Sequence, residues 1–182
     1  MVDSAMRILR ERGVSGVTVD AVLADSGTPR GSVYHHFPGG RDELILTAGR
    51  EAADYITGLL TETVTGCDMI TALDLFIAFW KQTLIETDYG AGCPVAALGT
   101  DSADDAAELL DLAARTFDRW KEALATAIEA TGFPAGQARI LATTLISTLE
   151  GAITLCRVYR SAQPLDDVTG PLRSLLARPL LA

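Results

Sequence analysis

The stretch Thr18-Val19-Asp20-Ala21-Val22-Leu23-Ala24-Asp25-Ser26-Gly27-Thr28-Pro29-Arg30-Gly31-Ser32-Val33-Tyr34-His35-His36-Phe37 decides the fold of this chain. It predicts two short helices joined by a tight turn. Thr18 is a good N-cap, and Val19, Val22 and Leu23 form an apolar stripe behind it. Gly27 stands where the chain must reverse, because a positive φ carries no side-chain penalty there. Thr28 is expected to cap the second helix, with Pro29 in the first turn, where a missing N–H is harmless. Val33 and Phe37 are four apart and face inward together. Arg30, Gly31, Ser32, Tyr34, His35 and His36 are left on or near the outer surface. In a helix-turn-helix the second helix enters the major groove, where small residues allow close approach and Arg pairs with guanine.

The run from Ala24 to Phe37, followed by Arg41-Asp42-Glu43-Leu44, resembles the DNA-binding signature of TetR-like bacterial repressors. The Tyr-His-His-Phe end and the basic-acidic-acidic-Leu continuation make the match specific. Further along, Gly92-Cys93-Pro94-Val95-Ala96-Ala97-Leu98 resembles a loop of the LmrA/YxaF-like subgroup. Glu150-Gly151-Ala152-Ile153, Arg157 and Pro164-Leu165 resemble that subgroup's late helices. The resemblance implies an all-α protein with a three-helix reading domain at 1–43 and a helical ligand-binding and dimerisation domain at 44–182. The DNA-contacting set it implies is Thr18, Thr28, Pro29, Arg30, Gly31, Ser32, Tyr34, His35, His36 and Arg41. One departure is the short start: such regulators usually carry a longer, often basic segment before the first helix. Here Met1 lies almost inside that helix, so either the start is truncated or a mobile arm is absent.

The 182 residues allow one or two domains with a real core. No uninterrupted apolar run approaches the ~18 residues that span a bilayer, and no signal peptide is visible. The expectation is a cytoplasmic protein without a membrane partner. Cys67, Cys93 and Cys156 are odd in number and far apart, which argues against a disulfide framework or a zinc knuckle. No cofactor or metal is expected. His35 and His36 are adjacent on a helix and point in different directions, so they do not form a metal pair.

The net charge of −9 argues against DNA binding until its distribution is considered. Residues 1–50 hold six Arg and six acids, so the excess negative charge lies entirely in residues 51–182. An acidic body repels DNA and keeps non-specific binding weak, while Arg30, Arg41 and helix N-termini attract locally.

The remainder reads as helices at about 44–63, 69–86, 102–131, 135–161 and 168–176, with a loop over 89–100. Gly66, Gly132, Pro134 and Pro164 punctuate them. Asp68 is expected to cap the helix from Met69, and Ser102-Ala103-Asp104-Asp105 resembles a capping box. The helix at 135–161 is apolar around most of its circumference, so it must be covered on two sides. In a small domain the second cover is often another subunit. The resemblance implies a homodimer through the last two helices, with Leu149, Gly151, Ala152, Leu155, Tyr159, Leu172 and Leu175 at the interface. The other reading is the central helix of a monomeric bundle.

A small-molecule pocket is expected from Phe76, Phe79, Trp80, Phe117 and Trp120, with Thr144, Ser147 and Glu150 beside them and Cys93 and Leu98 from the loop. Such a site combines apolar walls with a few polar anchors. Plain core packing is the competing reading for the aromatics; Glu150 could pair with a cationic ligand, and its competing reading is a salt bridge to Arg115, Arg119 or an interface Arg. The expected function is a regulator released from double-stranded operator DNA by a small apolar or aromatic effector, with no enzymatic role. The alternatives are a helical enzyme or carrier without DNA binding, and a DNA-binding architectural dimer without a ligand.

Overall fold

The computed structural model describes residues 1–100 and 107–177. Among these residues there are nine helices and no strand. The expected capping box at Ser102–Asp105 lies outside the described residues.

The first helix, α1 (Val2–Gly16), buries Ala5, Ile8 and Leu9, the stripe nearest the start of the chain. It breaks at Gly13, whose φ of 70° suits a residue without a Cβ. Next come α2 (Val19–Ser26) and α3 (Arg30–His36). Thr18 caps α2 by accepting from the Ala21 N–H at 3.1 Å. Gly27 turns the chain with φ 66° and sends its own N–H back to Leu23. The cap of α3 differs from expectation. Pro29, not Thr28, holds the N-cap position, and no side chain caps the helix. Pro29 still contributes its carbonyl, which accepts from the Ser32 N–H at 2.9 Å.

The fourth helix, α4 (Gly40–Gly66), begins earlier than expected. Glu43 explains the start, because its carboxylate accepts from the Gly39 N–H at 2.8 Å and satisfies a donor at the helix entrance. Then come α5 (Met69–Glu86), α6 (Pro94–Thr100), α7 (Ala107–Ala130), α8 (Ala135–Tyr159) and α9 (Gln163–Leu176). Asp68 caps α5 as expected, accepting from the N–H groups of Ile70 and Thr71 at 3.0 Å. The Thr71 hydroxyl first, and then those backbone bonds, hold its carboxyl below the usual range.

Two elements correct the sequence reading. Residues 94–100 are helical rather than loop, because Pro94 fits a first helical turn. The last helix begins at Gln163, five residues earlier than expected, with Pro164 in its first turn. Pro164 therefore opens a helix as well as following one.

The chain divides into two compact units. The first contains Met1–Tyr55 and Ala91–Thr116. Its core includes Val17, Val22, Val33, Leu44, Ile45, Ala48, Val95 and Leu98, all essentially inaccessible. Here α6 packs on α1, and the Gly92 N–H donates to the Arg10 carbonyl at 2.8 Å. The second contains Ile56–Gly90 and Phe117–Ala182, and in it α5, α8 and α9 pack together. Helix α4 contributes its beginning to the first unit and its end to the second, as does α7.

Among the described residues, α8 alone is long and apolar enough to cross a membrane, with a mean hydropathy of 1.3 over its most apolar window. The sequence reading missed this because polar residues interrupt the apolar run. One face of α8 is occupied by the core of its own unit through Ala138, Ala142, Leu145, Leu149, Ala152, Ile153 and Cys156.

Candidate functional site

The reading surface is built on a three-valine floor. Val17, Val22 and Val33 are buried, which fixes the opposite side of α3 outward. Arg30, Gly31, Tyr34, His35 and His36 are exposed there, and Thr28 and Ser32 are half-buried beside them. A Cβ added at Gly31 would meet nothing within 4 Å, so its outer side is open to a close-approaching backbone. Tyr34 is 59% exposed. The rings of His35 and His36 meet edge to face, with centroids 5.0 Å apart. Arg30 carries a partner of its own: its guanidinium lies 3.1 Å from Asp20 at the start of α2. Asp20 was not among the residues singled out from sequence. Its signal was a carboxylate in the first turn of the helix preceding the reading helix.

Two candidate DNA contacts have work within the unit. Thr18 spends its hydroxyl oxygen as a cap. Arg41 donates through Nε to the Val17 carbonyl and through Nη2 to the Val14 carbonyl, each at 2.7 Å. It thereby satisfies carbonyls at the C-terminal end of α1. Arg7 is likewise held by Glu11 and Asp25.

The second unit holds a cavity with about 40 Å³ of free space. Leu60, Thr63 and Val64 of α4 form one wall, and Met69, Ala72, Leu73, Phe76 and Trp80 of α5 form another. Trp120 and Leu124 of α7 and Leu145, Ile146, Leu149, Glu150 and Ile153 of α8 complete it. The wall is almost wholly apolar, and among the described residues Glu150 is its one ionisable member. The Trp120 indole N–H is directed to Thr57 Oγ1 at 2.8 Å, which fixes the ring plane.

Of the expected pocket residues, the cavity brings together Phe76, Trp80, Trp120 and Glu150. Phe79 and Phe117 stack edge-on against Trp80 and Trp120 and so stand behind the wall. Ser147 is on the outer side of α8, and Thr144 turns its hydroxyl to the Ile140 carbonyl. Cys93 and Leu98 are buried in the first unit, where Leu98 meets Gly49 closely. Sequence reading did not single out the α4 wall, although Leu60 and Val64 carry the four-residue spacing of one helix face. Burial pushes the Cys156 thiol up, which keeps it protonated.

The expected interface residues fall on two sides of α8 and α9. Leu149, Ala152 and Leu172 are buried within the chain. Gly151, Leu155, Tyr159 and Leu175 are exposed, together with Ile140 and Val158. Helical periodicity separates these two sets, and the exposed one is largely apolar.

Residues 1–48 match the model of bacterial regulatory proteins of the tetR family. Residues 70–170 match the LmrA/YxaF-like transcriptional regulator C-terminal domain. An uncharacterized HTH-type transcriptional regulator of Mycobacterium tuberculosis is 41% identical over 99% of this chain and 94% of its own length. The HTH-type transcriptional regulator LmrA of Bacillus subtilis is 24% identical over 98% of this chain and 95% of its own. Among solved structures, a regulatory protein TetR from Rhodobacter sphaeroides superposes with a TM-score of 0.84 at 23% identity, covering 97% of this chain and 95% of that one.

Proposed function

Because the chain belongs to the TetR family of bacterial transcriptional regulators, we propose that its dimer holds an operator and that a small apolar or aromatic molecule releases it. It is a DNA-binding regulator with a helix-turn-helix head. The reading head is residues 1–43 in function, and residues 44–182 receive the effector and the second subunit. The place of action is the cytoplasm, where the operator is.

The observation that carries the reading is the composition of the cavity wall. Leu60, Thr63 and Val64 belong to α4, the same helix that begins at Gly40 directly after α3. About 40 Å³ is far too small for an organic effector, which needs roughly 300 Å³ or more. Such a ligand binds only by parting the walls, and α4 is one of them. Affinity for the expanded state over the closed one is then the driving free energy for a shift of α4 and its recognition helix.

The second subunit covers the bare side of α8 and α9, where Gly151, Leu155, Val158, Tyr159 and Leu175 leave apolar surface in the single chain. Two recognition helices joined this way read two half-sites a helical turn or a compatible distance apart.

The test begins with duplexes selected by the protein from fragmented genomic DNA. Arg30→Ala is expected to weaken binding to the selected duplex by roughly 1–3 kcal/mol, the scale of one base contact. Tyr34→Phe is expected to weaken selected and unrelated duplexes alike, since a hydroxyl on phosphate carries no sequence information. Unchanged affinity in both variants removes α3 as the docking surface.

A further inference from the structure

We propose that Asp20 sets the sequence discrimination of this regulator by positioning Arg30 and by making phosphate-only docking unfavourable. The inference rests on the reading of Arg30 as a base-contacting residue.

The pair bridges two helices of the reading head. Asp20 lies in the first turn of α2, where a carboxylate is favoured by the helix dipole. Arg30 is the first residue of α3, and its Nη1 stands 3.1 Å from Asp20 Oδ1. Both side chains are more than 70% exposed. In water such a pair contributes little to stability. Its consequence arises when DNA excludes the water around it.

Two dockings are then open to Arg30. If the guanidinium turns to a phosphate, it leaves Asp20 unpaired against a polyanion, which costs Coulomb energy in a partly dehydrated gap. If it stays beside Asp20, the ion pair is kept and its N–H donors remain available for the two acceptors of guanine. The carboxylate therefore favours the specific pose and penalises the non-specific one. Discrimination is a difference of affinities, and a built-in penalty for the wrong pose contributes as fully as a contact in the right one.

The neighbouring charges sharpen the effect. Within the reading head, Arg7 is held by Glu11 and Asp25, and Arg41 by two carbonyls. Arg30 is the one basic residue of α3 apart from its two histidines. Control of Arg30 is thus control of the main cation on the reading helix.

The test uses the full-length protein with two probes: a duplex it selects from a random-sequence pool, and a shuffled duplex of equal composition. Asp20→Asn is expected to tighten binding to the shuffled duplex and to lower the ratio of selected to shuffled affinity about tenfold, the scale of one base contact. Salt dependence on the shuffled duplex is expected to steepen by about one released counterion, as Arg30 gains a phosphate. Asp20→Glu is expected to restore most of the ratio. In an Arg30→Ala background, Asp20→Asn is expected to leave the ratio unchanged. Equal tightening on both duplexes, or an undiminished effect of Asp20→Asn without Arg30, overturns the proposal as mere charge removal. If Arg30→Ala itself spares the selected duplex, the reading of Arg30 fails, and Asp20 loses its role with it. Equal melting temperatures across the variants establish that the fold is not the cause.

Discussion

Trp120 donates its indole N–H to Thr57 Oγ1 at 2.8 Å, and both residues are buried. The bond joins α7 to α4 beside the cavity, so a ring that lines the cavity is fastened to the helix that follows α3 in the chain. Thr57→Val keeps the side-chain shape and removes the acceptor. A buried N–H without a partner costs about 1–3 kcal/mol. The melting temperature is expected to fall by roughly 2–4 °C for each kcal/mol lost. The Trp emission should shift as the ring loses its fixed hydrogen bond. An unchanged melting curve and spectrum would mean that Trp120 readily finds another acceptor.

Helix α5 is set in register on α9 by two ion pairs seven residues apart on each helix, and a third pair joins residues just beyond α5 and just before α9. Asp74 meets Arg173 with two bonds of 2.8 and 2.6 Å, Lys81 meets Asp166 at 2.7 Å, and Asp88 meets Arg160. The signs alternate along α5, and the partners alternate in reverse. A slip by two helical turns in either direction would set like charges against each other. Asp74 holds the Arg173 guanidinium above its usual pKa, first through the hydrogen bond and then through charge. Each pair is exposed and individually weak, so the arrangement specifies register more than it adds stability. Asp74→Arg is expected to lower the melting temperature, and adding Arg173→Asp to recover most of the loss. Failure of the exchanged pair to recover would locate the effect in Asp74 alone.

The reading head was legible in the sequence because its rules are local. Thr18, Gly27 and the Val22–Val33 core follow from capping, a positive φ and helical spacing within one short stretch. The start of α9 was not legible, because Pro164 serves equally to end one helix and to open the next. The cavity was half legible. Phe76, Trp80, Trp120 and Glu150 were found by residue type, whereas the wall from Leu60, Thr63 and Val64 depends on which helix packs there. Leu149 and Ala152 illustrate the same limit on α8. A helix apolar on two sides does not show from sequence which side its own chain covers.

Gly151 offers a clean probe of the second cover. A Cβ added there meets nothing within 4 Å in the single chain. A side chain at Gly151 therefore starts into open space in the single chain, and a loss of dimer with helix content and melting temperature unchanged reports on a neighbouring subunit. Overpacking a close helix contact costs about 1–3 kcal/mol. Sedimentation is expected to shift toward monomer, with operator binding falling in parallel and helix content unchanged. A fully dimeric variant with normal DNA affinity would remove Gly151 from the proposed interface.

The effector prediction joins the cavity to the operator. Trp80 and Trp120 are the two tryptophans of the chain, and both line the cavity. A true effector is expected to change their fluorescence and to reduce operator affinity along a common saturation curve once linkage is included, because effector and DNA must weaken each other by the same factor. Phe76→Ala removes a wall residue and enlarges the space. It should alter the ligand's effect more than it alters DNA binding by the ligand-free protein. The chemistry of the wall favours an apolar or aromatic molecule, since the cavity offers one carboxylate and no cluster of donors for a phosphate. Because the cavity holds only about 40 Å³, binding should also be slower than diffusion, its rate limited by parting of the walls. A compound that releases DNA without touching the tryptophan signal, and that competes at the α3 surface instead, would replace the coupled mechanism with direct competition.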